Sequence, residues 1–127
     1  AEENANGSNA ADYIESVQTS VVTVLSALAR LSERRNREDQ VKEAFAAGMA
    51  HFNQWPTFEV LPKEECTSKK LILALENLGK APAKVRNTMI LATVSAALQD
   101  NYISPEEYEL LRALAAAIDI PLPYFVV

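Results

Sequence analysis

Residues 85–123 read VRNTMILATVSAALQDNYISPEEYELLRALAAAIDIPLP, and their pattern decides the fold class. From Met89 to Leu98 only Thr93 and Ser95 interrupt the apolar side chains, so a helix over this run is expected to be buried on most of its circumference and to form the centre of the domain. Such a run is about half of the roughly 20 residues that a membrane-spanning helix needs, which points to a protein core. Asp100 and Asn101 tolerate left-handed backbone and hydrogen-bond to their own main chain, so they end that helix. Ser104, Pro105 and Glu107 then fall at the N-cap, first helical and capping-box positions, with Glu106 and Glu107 at the positive end of the helix dipole. Tyr108, Leu111, Leu114, Ala115 and Ile118 give the second helix its apolar face, and Pro121 and Pro123 are expected to stop it.

Upstream the same 3.6-residue period recurs. From about Ala10 to Arg35, Ile14, Val17, Val21, Val24, Leu28 and Leu31 step alternately by three and four, which is a heptad seam. The seam is expected to pack on its own domain, with pairing to a partner helix or a weak homodimer as the alternative. Arg34, Arg35, Arg37, Glu38 and Asp39 mix both signs of charge and are expected to form a solvated corner. A second helix fits Asp39 to Asn53, with Val41, Phe45, Met49 and Phe52 on one face and Gly48 where a neighbouring helix can approach closely. A third, capped by Thr67 or Ser68 and ending at Gly79, carries Leu71, Ile72, Leu75 and Leu78 as its buried stripe. Pro82 opens the fourth.

The pattern predicts an all-α bundle of about five helices in a single domain over 10–127, preceded by a flexible polar segment over 1–9. A chain of 127 residues is long enough to bury a core without staples. Its 3 glycines and 6 prolines are too few for the repeated tight turns of a sandwich or barrel. The net charge of -5 disfavours nucleic acid as a partner, because phosphate binding needs a clustered positive field. No signal peptide or membrane-length run is evident, so the chain reads as soluble.

Candidates for chemistry are few. Cys66 precedes a helix start that could activate a thiol, but Glu64 and Glu65 flank it, and a lone cysteine forms no internal disulfide. His51 is the single histidine and belongs to no His-Glu-x-x-His pattern, so a zinc site is not expected. Against a calcium loop, Asp100 and Glu107 would take the fifth and twelfth positions, but Ala96 and Leu98 would occupy the first and third without an oxygen ligand. Asp100 and Glu107 are therefore weak metal candidates, and no cofactor is expected. The irregular stretch 54–66 holds Trp55, Phe58, Val60 and Leu61; it reads as a packed loop, with an exposed aromatic binding patch around Trp55 and Phe58 as the sharper possibility.

Three runs, Ile90-Leu91-Ala92-Thr93-Val94, the segment Asp100 to Ala113, and Asp119-Ile120-Pro121-Leu122-Pro123, resemble the TerB-like helical domain, with its Asp-Gly-x-Ile-Ser/Thr-x-x-Glu turn between two helices; here Asn101 stands in place of the glycine. They resemble still more the C-terminal helical extension of bacterial HtpX-like and CAAX-prenyl-protease-type membrane zinc metallopeptidases, in which a Leu-Leu-Arg-Ala helix ends in Leu-Asp-x-Pro-Leu-Pro. Ala74-Leu75-Glu76-Asn77-Leu78 and Val85-Arg86 fit the same extension. The resemblance implies a non-catalytic regulatory or protein-interaction domain, tethered to a bacterial inner membrane only through a parent peptidase. Its partner would be another protein or the rest of that parent. The alternative is a free-standing TerB-like stress-response protein that binds metal ions or oxyanions. A small enzyme using Cys66 or His51 ranks last.

Overall fold

The computed structural model describes residues 2–32 and 35–120, with side chains from residue 13 onward. Within them the fold is an all-α bundle of five helices: α1 (Glu2–Leu31), α2 (Glu38–Met49), α3 (Ser68–Gly79), α4 (Ala83–Ala97) and α5 (Pro105–Ile118). No described helix is long and apolar enough to cross a membrane.

The central helix is α1, not the α4 expected from residues 89–98. Every residue from Ser20 to Ala29 is buried, and α1 touches all four other helices. α4 instead leaves Leu91 and Leu98 exposed while burying Met89, Ile90, Ala92, Thr93, Ala96 and Ala97. The reason is side-chain size as much as polarity. Beyond its Val and Leu seam α1 also buries Val22, Leu25 and the small Ser20, Thr23, Ser26, Ala27 and Ala29, which let neighbours close in. The Ser20 and Thr23 hydroxyls donate to the carbonyls of Ser16 and Thr19 one turn back, so their burial leaves no hydroxyl donor unmatched.

The heptad seam is consumed by this packing. Val17, Val21, Val24 and Leu28 lie in the core, Leu31 is half-buried, and Ile14 alone is exposed, at 56%. Those four core residues are therefore not available to a partner helix, because α2 to α5 already cover them. The helix also starts at Glu2 and not near Ala10.

Local signals at the helix ends behave as their chemistry dictates. The Ser104 hydroxyl accepts from the Glu107 N–H at 3.1 Å, and the Glu107 carboxylate accepts from the Ser104 N–H at 3.0 Å, closing the capping box. Thr67 caps α3 by accepting from the Lys70 N–H. Asn101 takes the left-handed conformation at φ 60 after the short 3-10 turn Leu98–Asp100. At the end of α5, Asp119 is left-handed at φ 58, and the Ile120 N–H closes a six-residue ring onto the Ala115 carbonyl. That ending needs no proline; Pro121 and Pro123 lie outside the described residues.

Two glycines mark close helix crossings. A Cβ on Gly48 would meet the Leu25 side chain at 2.9 Å and the Ala92 carbonyl at 3.1 Å, so α2 lies close on α1 and α4. Gly79 ends α3 without positive φ; its requirement is spatial, because a Cβ there would sit 2.5 Å from the Ala117 carbonyl of α5. Ile72, expected in the α3 stripe, points outward at 56% exposure, while Ala74 and Leu78 carry the burial. Tyr108 is likewise displaced from the expected α5 face to a half-exposed position.

Candidate functional site

Asp100 and Glu107 are brought together, but around an arginine. Arg35, expected at a solvated corner, turns inward and is 6% exposed. Its Nη1 donates to Glu107 Oε2 at 2.9 Å, and its Nη2 donates to the carbonyls of Ala96 at 2.9 Å and Ala97 at 3.1 Å, with Asp100 Oδ1 at 3.5 Å. Asp100 Oδ2 also accepts from the Ser32 hydroxyl at 3.4 Å. The guanidinium thus fills the space between the two carboxylates that a bound cation would need. Nothing local in the sequence selects Arg35 for this role among its neighbours in the charged run; the selecting features are the carbonyl end of α4 and the capping acid of α5, some 60 to 70 residues away.

The second constellation is a groove of about 500 Å³ between α2 and the segment 52–60. Phe45, Met49 and Phe52 come from α2 and the 3-10 turn Ala50–Phe52, while Trp55, Pro56, Phe58 and Val60 form the facing wall. Trp55 stacks on Phe52 with ring centroids 4.3 Å apart and planes at 24°. Glu38, Lys42 and Glu59 supply its charged groups. The volume falls in the range of about 300–1,000 Å³ typical of ligand clefts.

α1 anchors this wall. The Leu61 N–H donates to the Ser26 hydroxyl at 2.9 Å, and the Leu61 carbonyl accepts from Arg30 Nε at 2.8 Å. The same Arg30 forks onto both oxygens of Glu38 at 2.9 Å each, joining the loop to the first turn of α2. The hydrogen bonds from Arg30 hold the Glu38 carboxyl below its ordinary range, so this groove residue stays anionic. Trp55 and Phe58 are half-buried and pack on the core, so the stretch is a packed loop whose aromatic side chains also line a cleft. The α2 contribution of Phe45, Met49 and Phe52 was legible as a face but not as one wall of a cleft, since the opposite wall comes from the irregular segment.

The remaining candidates stay apart from both places. His51 Nε2 lies 2.7 Å from the Ser95 hydroxyl on α4, an interhelical hydrogen bond. The Cys66 thiol donates to the Pro62 carbonyl at 3.6 Å, and burial pushes its pKa up, as suits the ordinary thiol expected beside Glu64 and Glu65 and not one activated by the start of α3. Alkylation by iodoacetamide at mildly alkaline pH is therefore expected to be at least several-fold slower in the folded chain than in urea, since less thiolate is present. Equal rates would contradict the burial argument. Among the described residues no three His, Cys, Asp or Glu side chains gather as a metal-binding group. A cleft of about 630 Å³ between α1 and α3 has several of its lining hydroxyls already engaged: Asn77 Nδ2 donates to Ser20 Oγ at 3.0 Å and bonds Ser16 as well. Comparison with known proteins gives no match from family models, curated proteins or solved structures.

Proposed function

We propose that the chain is a non-catalytic protein-interaction domain that docks a large apolar side chain of its partner in the groove between α2 and residues 52–60. The observation that carries this reading is the cleft itself: five aromatic or methionine side chains, two of them stacked, with one wall on a helix and the other pinned through Leu61 to α1. Aromatic residues and methionine are the side chains enriched where proteins bind one another, and a pre-formed cleft avoids the entropy cost of ordering a loop on binding. The resemblance of residues 85–123 to the peptidase extensions supports a regulatory appendage of a membrane zinc metallopeptidase as the setting. Upstream membrane spans and a His-Glu-x-x-His in the full reading frame would establish that parent. The alternative, cation binding at Asp100 and Glu107, is disfavoured by the Arg35 guanidinium already paired with both.

A random-peptide display library, selected on the native chain, tests the groove. Selected peptides are expected to carry a large apolar residue and to shift the emission of Trp55, the single tryptophan. Replacing Trp55 or Phe58 by alanine is expected to weaken them by about tenfold or more, the scale of an interface hot spot. Peptides that bind both variants as tightly as the native chain would place the interface elsewhere.

A further inference from the structure

The oxygens around Arg35 are gathered at the tip of its side chain and not along its stem. Nη2 has two hydrogens but faces three oxygens, from Ala96, Ala97 and Asp100, whereas the buried Nε has no acceptor. Two carboxylates and the negative pole of α4 surround one positive charge. The acceptors are also divided as a planar fork requires, with Glu107 on Nη1 and the carbonyls on Nη2. A compact divalent ion would draw six or more oxygens to about 2.3–2.6 Å, yet the other Glu107 oxygen is committed to the Ser104 N–H inside the capping box.

We propose that the α4–α5 turn is a guanidinium-binding site which the chain occupies with its own Arg35, and that this internal ligand latches the residue leading into α2 onto the junction of α4 and α5. Arg35 stands three residues before the start of α2, so the latch also fixes where the groove helix begins. The assignment does not depend on the groove having a partner.

Thermal melting of Arg35→Ala with added methylguanidinium chloride tests it, with methylammonium chloride at equal ionic strength as the control. The variant is expected to melt roughly 10 °C or more below the native chain. Methylguanidinium is expected to raise its melting temperature saturably, as a ligand of the folded state does, while leaving the native chain and Arg35→Ala/Glu107→Gln unmoved. Should Arg35→Ala be unfolded, Arg35→Met keeps an apolar stem as far as the Nε position and vacates both Nη positions, and the same titration applies with guanidinium chloride, which lacks the methyl group that would meet the methionine. If that too is unfolded, guanidinium is expected to restore its helical circular dichroism. Absence of a saturable response in both variants overturns the proposal, as does an equal response to methylammonium, which would show a general cation effect without recognition of the fork.

Discussion

Replacing Glu107 by alanine is expected to lower folding stability by about 3–5 kcal/mol, the cost of leaving one member of a buried ion pair without its partner. The Glu107 side chain is fully buried and that of Arg35 is 2% exposed, so water cannot take over the lost contact. The same change removes half of the capping box, leaving the Ser104 N–H without its carboxylate acceptor. Urea unfolding monitored by circular dichroism measures the loss. The double variant Arg35→Met/Glu107→Leu separates pairing from burial: apolar side chains of similar volume often replace a buried pair at little cost, so it is expected to be more stable than Glu107→Ala. A loss below about 1 kcal/mol for Glu107→Ala would mean that the guanidinium finds other acceptors, and that the pair does not hold the α4–α5 turn.

Val21→Asp is expected to abolish or severely loosen the fold, because a carboxylate at a fully buried position in the apolar core loses its hydration. The penalty is several kcal/mol, a large fraction of the total for a domain of this size. Sedimentation and urea unfolding at several protein concentrations distinguish this from a role in pairing. The native midpoint is expected to be independent of concentration, since the seam packs within one chain and mass action does not enter. A folded Val21→Asp monomer obtained from a native dimer would reverse the assignment of the seam to the core.

Much of the architecture follows from local rules. The spacing of Val17, Val21, Val24 and Leu28 has a helical period that no strand shares, and Ser104-Pro105-Glu106-Glu107 specifies a helix start through hydrogen bonds within four residues. Thr67 before α3 and Asn101 after α4 act in the same way. The aromatic content of 55–60 and the close-approach glycine at 48 were equally legible, because each depends on residue type alone.

What the tertiary structure decided are the matters that depend on neighbours distant in sequence. An apolar run marks a helix as burial-prone, but it does not rank helices: α1 became central because several of the residues it buries beyond the seam are small and its hydroxyls bond to their own backbone, which an apolar count misses. The charged run 34–39 looked solvated throughout, and only the meeting of the α4 carbonyl end with the capping glutamate of α5 made an inward arginine stable at position 35. The groove required two walls, one from α2 and one from an irregular segment fixed by Ser26 and Arg30 of a different helix. Helix periods and caps are set within a few residues along the chain, whereas burial of a charge and closure of a cleft are set by what packs against it, and that information is spread over the whole chain.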